Sequence, residues 1–386
     1  MKVLFAGDIV INDASRFNYS KDVTDFINLH DYKICNFEAP IIGKQTQEII
    51  KIGPRVQNNP ASSKLISEIG FNVAALANNH IMDYGMVSLK NTQKELNNYG
   101  VEVFGASDIY EKCYDPLRLV KNGEEIFVFN ACQAEFGVFK DNNSKMGGYA
   151  WVNNPDFLNK IKEYCNGKNK VIVYVHAGLE DELLPLPEWR NVYRNLVDSG
   201  VSLVVASHPH IIQGVEKYRE KNIYYSLGNF FFDLDNYSEN DEWCHSMLLS
   251  VDTMTGDECI KYVSFIGGKI SFVDEMEMNV KLKYRNDILK NENDYICDIN
   301  EICNRCWNSY YKSYYESACG NIKLNKKNMK WWVRSIIKAV FGRIPTNEIN
   351  EAFLLHNVQI ESHRWAVERY LYNRINMVDD IGQMKC

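Results

Sequence analysis

The 386-residue sequence has no apolar run near the ~18 residues that a membrane-spanning helix needs. It has no N-terminal stretch with the charged, apolar and small-residue regions of a signal peptide either, and opens directly on the strand-like Lys2-Val3-Leu4-Phe5-Ala6. These absences predict a cytoplasmic protein. Gly-x-Gly-x-x-Gly and Gly-x-x-x-x-Gly-Lys are both missing, so a nucleotide-binding fold has no support. Positive charge is not in excess. A formal net charge of −7 excludes a nucleic-acid binder acting through its whole surface. The eleven cysteines are scattered and odd in number, unlike a disulfide framework. Cys303-x-x-Cys306, flanked by Cys297 and Cys319, has the look of a zinc ligand pair. Its aromatic-rich surroundings read better as a helix carrying buried thiols. No internal repeat or low-complexity tract is present.

What is there is ordinary globular composition: 46% hydrophobic, 24% charged, and 12% aromatic. The length allows a large core and two domains. Residues 1 to 275 alternate strand and helix patterns. Strands are predicted at 2–7, 32–36, 72–76, 170–176 and 202–206. Helices are predicted at 60–69, with Pro60 in the first turn, at 86–98 and at 187–199. This alternation predicts helices layered on sheet. Two hairpin-like stretches complicate it. Leu117–Val120 and Ile126–Ala131 flank the turn pair Asn122-Gly123, and short strands follow at 211–216, 223–227, 245–252 and 258–266. From 285 to 386 strand patterns stop, Pro345 is the sole proline, and about three helices are predicted.

Five segments sit where strands end: Ala6-Gly7-Asp8, Asn36-Phe37-Glu38, Asn78-Asn79-His80, Val175-His176-Ala177-Gly178 and Ser207-His208-Pro209-His210. In an open α/β sheet such ends converge on one rim. The rim would gather two carboxylates, an amide oxygen and several imidazoles, a donor set suited to divalent transition ions. His208 and His210 alternate on what reads as an extended segment, so both face one way. Each residue has a plainer reading: Asp8 as a turn cap, Glu38 as a surface carboxylate, His176 as a satisfied core histidine. Their joint recurrence at strand ends favours the metal reading.

The motifs in this order resemble the bacterial CapA family of poly-γ-glutamate and capsule biosynthesis proteins, within the calcineurin-like metallophosphoesterase superfamily. The resemblance rests on Ala77-Asn78-Asn79-His80 followed by Asp83-Tyr84-Gly85, on Lys51-x-Gly53-Pro54 and on Val103-Phe104-Gly105-Ala106. It also rests on His208-Pro209-His210-x-x-Gln213-Gly214-x-Glu216 and on Tyr225-Ser226-Leu227-Gly228-Asn229-Phe230. It covers about residues 1–233. It implies a four-layer α/β/β/α metallophosphoesterase-like sandwich, expected to span 1–275; the all-helical extension expected over 285–386 lies outside the resemblance and rests on that segment's own pattern. The resemblance further implies a first ion on Asp8 and His210, a second on Asn79, His176 and His208, and Glu38 bridging both. His80 would assist the leaving group, with Asp83 orienting it. One or two ions of Mn²⁺, Fe²⁺ or Zn²⁺ would be held per chain. Two ions about 3.5–4 Å apart clamp a phosphoryl or carbonyl oxygen and activate water near neutral pH.

The implied activity is hydrolysis of a phosphoester or amide in capsule, exopolysaccharide or poly-γ-glutamate metabolism, on an anionic polymer precursor. The rival is a non-hydrolytic metal-binding component of a capsule-synthesis assembly, working with other capsule-synthesis proteins. Two departures bear on the choice. Val10 stands where the superfamily's first motif has histidine, and Ser207 and Ala206 replace the usual His and Gly. Arg55, Glu180, Glu216 and Asn229 are weaker substrate-binding candidates; each also reads as a structural polar residue. Finally, Lys326, Lys330, Arg334 and Lys338 recur every four residues. Over 326–343 they make a basic amphipathic helix, which would either contact the inner membrane face peripherally or pack with its basic face in water.

Overall fold

The computed structural model describes residues 1–44, 46–141, 147–167, 169–234, 241–319 and 346–376. The basic helix expected over 326–343 lies outside the described residues.

Strands in chain order are β1 (Lys2–Val10), β2 (Tyr32–Phe37), β3 (Val73–Ala75), β4 (Glu102–Phe104), β5 (Ala106–Ser107), β6 (Leu117–Lys121), β7 (Glu124–Cys132) and β8 (Gly148–Tyr149). They continue with β9 (Lys170–His176), β10 (Leu203–Ser207), β11 (Val215–Tyr218), β12 (Lys221–Tyr224), β13 (Asn229–Phe232), β14 (His245–Asp252), β15 (Glu258–Ser264) and β16 (Ser271–Phe272). One sheet runs β16-β15-β14-β1-β2-β3-β4, with β13 also paired to β1; the other runs β11-β12-β10-β9-β7-β6. β1 to β4 are parallel neighbours, as are β7, β9, β10 and β12. β1 and β9 are buried along their length after the first lysine, as central parallel strands must be. β6 and β7 form the expected hairpin, with Asn122 and Gly123 both at positive φ as a type I′ turn requires.

Alternation along the strands builds the layers. Leu4 and Ala6 point to one face of the first sheet. There they pack with Cys35, Phe37 and Ala74, and with helices α1 (Lys21–Ile27), α2 (Ser62–Ile69) and α3 (Gly85–Asn98) through Val23, Ile27, Ile66, Ile69, Leu89 and Leu96. Val3 and Phe5 point the other way. With Ile34 and Val73 they meet Ile126, Val128, Ile172, Leu203 and Val205 of the second sheet. A short α4 (Tyr110–Cys113) follows β5. On the second sheet's outer face Phe129 packs edge-on to Phe157 and Tyr164 of α5 (Pro155–Tyr164), and α6 (Pro187–Asp198) buries Trp189, Tyr193 and Leu196. The result is the four-layer α/β/β/α sandwich.

Some boundaries differ from expectation. Pro60 precedes α2 rather than opening it, because Asn59 Oδ1 accepts the Ala61 N–H (2.9 Å) in a turn. The strand expected at 211–216 begins only at Val215.

The chain divides into two units: Met1–Ile49 with Arg55–Asn291, and Ile50–Pro54 with Glu292–Cys386. The first unit therefore extends past 275. It includes α7 (Glu275–Ile288), whose Met278 and Leu282 join the core between the sheets. Arg285, buried on α7, donates to the Ile212 carbonyl and to Glu242 Oε2. The second unit holds α8 (Glu292–Cys306), a π-helical turn at Trp307–Tyr311, α9 (Lys312–Ala318), α10 (Thr346–Gln359) and α11 (Glu361–Asn376). Cys303 and Cys306 lie buried on α8. Ile52 packs in this unit beside Ala352, Phe353, Tyr314 and Ala318, which no periodicity in the sequence signals. Among the described residues no helix is long and apolar enough to cross a membrane.

Candidate metal centre

The parallel strands of both sheets end on one rim, and Tyr174 ties the sheets there. Its hydroxyl donates to the Ala6 carbonyl (2.6 Å) and lies 2.9 Å from Ser207 Oγ. Asp8 sits near the end of β1, where the pairing with β2 slips register. Gly7 is required at that slip, because a Cβ there would lie 1.8 Å from the Gly228 carbonyl oxygen. Asn78 stitches the ends of β2 and β3. Its Nδ2 donates to the Phe37 carbonyl (3.0 Å), and its Oδ1 accepts from the Ala39 and His80 backbone N–H groups. That leaves Glu38, Asn79 and His80 facing inward. His176 ends β9.

His208 and His210 are not on an extended segment. β10 stops at Ser207, and both histidines have left-handed backbones, at φ 99° and 62°. Pro209 between them and these two turns bring both rings onto the cluster, with centroids 5.9 Å apart. Such backbones are costly for residues with a Cβ and persist where surroundings hold them.

The seven residues Asp8, Glu38, Asn79, His80, His176, His208 and His210 are all buried and adjacent. His210 Nδ1 is 3.6 Å from Asp8 Oδ2, and its Nε2 is 4.0 Å from Glu38 Oε1. His176 and His80 each place Nε2 3.9 Å from that same Glu38 oxygen. Asn79 Oδ1 and His208 Nδ1 both lie 3.1 Å from His176 Nε2. Asp8, Glu38 and His210 can converge on one point, as can Glu180, His208 and His210. His80 Nδ1 is 2.7 Å from Asp83 Oδ2, which also accepts the Val56 backbone N–H (2.8 Å).

Burial governs the charges. It raises the carboxyl of Asp8, against the opposing pull of His210 and three hydrogen bonds. It raises Glu38 well above the usual carboxylate range, and Asp8, Glu180, Glu135 and Asp83 push it further. Burial also lowers His176 and His210, keeping both neutral with a lone pair exposed. Neither Glu38 oxygen has a hydrogen-bond partner. A buried carboxylate in that state is costly unless a cation neutralises it. The donor set therefore fits a divalent ion, with nitrogen and oxygen ligands.

The weaker candidates fall in different places. Asn229 pairs in register with Asp8, and its Oδ1 is 3.1 Å from His210 Nδ1. Glu180 is half-exposed, 4.0 Å from His208 Nε2. Arg55 is turned to the Ile49 carbonyl (2.8 Å) and to Glu48 (3.2 Å). Glu216 is not brought to the cluster: on β11 it is held by Arg190 (3.1 Å), Arg194 and the Tyr225 hydroxyl. Val10 lies in an apolar cluster with Ala39, Val56, Ile211, Phe232 and Trp243.

Four further residues belong to the site. Asn36 donates to Asp8 Oδ1 (2.7 Å) and faces His176 Nδ1 (3.0 Å). Gln133 and Glu135 follow β7 and face His208. Trp243 stacks on His210, centroids 4.4 Å apart, and donates to Asp181 (2.5 Å). Gln133 and Glu135 stand at a strand end like the other motifs, a signal the hairpin reading of 126–131 obscured. Trp243 carries no sequence signal.

The capsule biosynthesis protein CapA of Bacillus anthracis is 27% identical to this chain over 248 residues, covering 60% of each chain. The PGA biosynthesis protein CapA of Bacillus subtilis (strain 168) is 31% identical over 212 residues, covering 53% of each. The chain thus spans only 60% and 53% of these relatives' lengths. A solved structure of a hypothetical protein from Thermus thermophilus aligns with a TM-score of 0.39 and 15% identity, covering 70% of this chain and 96% of that one. The family described as bacterial capsule synthesis protein PGA_cap matches residues 2–234, more than half of the sequence, and the chain belongs to that family.

Proposed function

We propose that this protein is a metal-dependent hydrolase of a phosphoester or amide in bacterial capsule, exopolysaccharide or poly-γ-glutamate metabolism. The observation that carries the reading is Glu38, fully buried, with both oxygens lacking a hydrogen bond and three imidazole nitrogens about it. Asp8, Glu38 and His210 would hold one ion; Glu38, Asn79, His176 and His208 would hold the other. The chemistry supplied there by bound Mn²⁺, Fe²⁺ or Zn²⁺ is Lewis-acid polarisation of a phosphoryl or carbonyl oxygen and of water.

The chain's own residues do the rest. Asp83 accepts the Nδ1 proton of His80, so Nε2 is the atom left to exchange a proton with the leaving group. The Val56 N–H keeps Asp83 in place for that role. Burial of the cluster keeps bulk water from competing for the imidazoles. Asn229 and Glu180 stand beside His210 and His208, where they would contact a bound substrate.

A second reading, a non-hydrolytic metal-binding component of a synthesis assembly, is favoured by Val10. Its apolar surroundings leave the Asp8 half of the site with fewer protein ligands. Elemental mass spectrometry decides first. Wild type and His176→Ala are purified without chelator or affinity nickel. About two ions per chain, reduced in the variant, followed by turnover in a phosphoester and amide screen, supports hydrolysis. Bound metal without turnover of any substrate moves the protein to the second reading. No metal after reconstitution with Mn²⁺ or Zn²⁺ sinks both.

A further inference from the structure

We propose that Glu135 is a positioning residue that orients two ligands of the metal centre, Asn79 and His208, through its two carboxylate oxygens. The proposal rests on the metal-dependent reading above and adds a residue to it. Glu135 is buried just past the end of β7, where its backbone N–H donates to the Tyr149 hydroxyl (2.9 Å).

One oxygen sets Asn79. The Asn79 Nδ2 donates to Glu135 Oε2 (3.2 Å), which turns Oδ1 the other way, to within 3.1 Å of His176 Nε2. An amide reversed by half a turn would present N–H groups to the ion site and could not ligate.

The other oxygen sets His208. The Gly178 N–H donates to Gln133 Oε1 (3.3 Å), which fixes that amide and aims its Nε2 at Glu135 Oε1 (2.6 Å) and His208 Nε2 (2.8 Å). Facing an amide donor, His208 Nε2 accepts, and the ring's proton lies on Nδ1, the atom toward His176. To ligate through Nδ1, a neutral imidazole must carry its proton on Nε2 instead, and that N–H needs an acceptor. The Gln133 amide nitrogen offers none. Glu135 Oε1 is 3.7 Å from Nε2 and shielded from water; Glu180 is farther, at 4.0 Å, and half-exposed. Glu135 is thus the buried carboxylate that lets His208 adopt the ligating tautomer.

A carboxylate can accept from each of three groups beside it: Asn79 Nδ2, Gln133 Nε2 and, once it carries the proton, His208 Nε2. A glutamine of the same shape offers one acceptor and one donor, so it must turn away one of them. The test uses full-length wild type, Glu135→Gln and Glu135→Asp, stripped of metal, then titrated with Zn²⁺ against a chromophoric chelator and with Co²⁺ by visible absorption. Glu135→Gln should weaken Zn²⁺ about 10–100-fold and shift the Co²⁺ bands, and Glu135→Asp should recover most of the affinity. The metal-free melting temperatures of all three should agree.

Wild-type affinity and spectrum in Glu135→Gln overturns this proposal alone. Equal losses in Gln and Asp variants, or a metal-free Glu135→Gln that no longer folds, make Glu135 a packing residue and overturn it too. A wild type that binds neither ion overturns the metal-dependent reading on which it rests.

Discussion

Glu38→Gln changes shape least and charge most. In the metal-free protein the folded state keeps a proton on Glu38 that the unfolded chain gives up near the ordinary value of about 4.3. The native state then binds more protons than the unfolded one, so stability falls as pH rises. The slope is about 1.4 kcal/mol per pH unit while the pH lies above the unfolded and below the folded pKa. Each pH unit inside that window removes about 1.4 kcal/mol, or about 2 °C for a protein of this size. Glutamine carries no such proton. Asp8, His176 and His210 titrate in both proteins, so their part largely cancels in the difference. In chelator, Glu38→Gln should therefore gain on wild type as pH rises through that window, by about 2 °C per pH unit. Excess Mn²⁺ should reverse the order, since a ligand at about 100 times its Kd adds about 2.7 kcal/mol to wild type and the variant lacks the anionic ligand. Differential scanning fluorimetry reads both. A difference that ignores pH in chelator, or a wild type that ignores Mn²⁺, refutes the reasoning.

Three other changes are sharp. Asp83→Asn removes an acceptor from the His80–Asp83 contact. Turnover of the substrate found by screening should fall about 10–100-fold, with metal content by elemental analysis unchanged. Gly7→Ala would place a methyl against the Gly228 carbonyl, backbone on backbone. It should cost about 3 kcal/mol or more, read from the urea midpoint. Val10→His puts an imidazole two residues past Asp8 on β1. The ion at Asp8 should bind more tightly in a Mn²⁺ titration, while stability drops by about 1–3 kcal/mol because a polar ring enters an apolar cluster.

Much of the centre was legible because parallel strands give a simple rule: each buried run delivers the polar residues at its C-terminal end to the rim. Asp8, Glu38, Asn79, His80, His176, His208 and His210 all obey it. The rule also applies to β7, but the Asn122-Gly123 turn makes 126–131 look like half of an isolated hairpin. Only the parallel pairing of β7 with β9 puts Gln133 and Glu135 on the rim. The left-handed turns at His208 and His210 were invisible because period-two alternation and two successive turns both bring the rings to one side. Glu216 fitted a motif yet serves Arg190 and Arg194, since a motif specifies spacing and not which way a β-strand side chain points. The placement of Ile52 in the helical unit had no sequence signal: a single apolar residue beside Gly53-Pro54 has no period.

The π-helical turn at Trp307–Tyr311 sets where the inward face of the second unit's helix shifts. Buried positions on α8 run Tyr295, Ile299, Ile302, Cys303 and Cys306, along one helical face. The next buried residue is Tyr311, five further on. A π turn holds one residue more than an α turn, so the inward face skips a place there. The stretch is thus one long helix carrying one extra residue, with the bulge confining the offset to a single turn. Deleting one residue between Cys306 and Tyr311 should therefore give an unbroken α-helical face from Glu292 to Ala318.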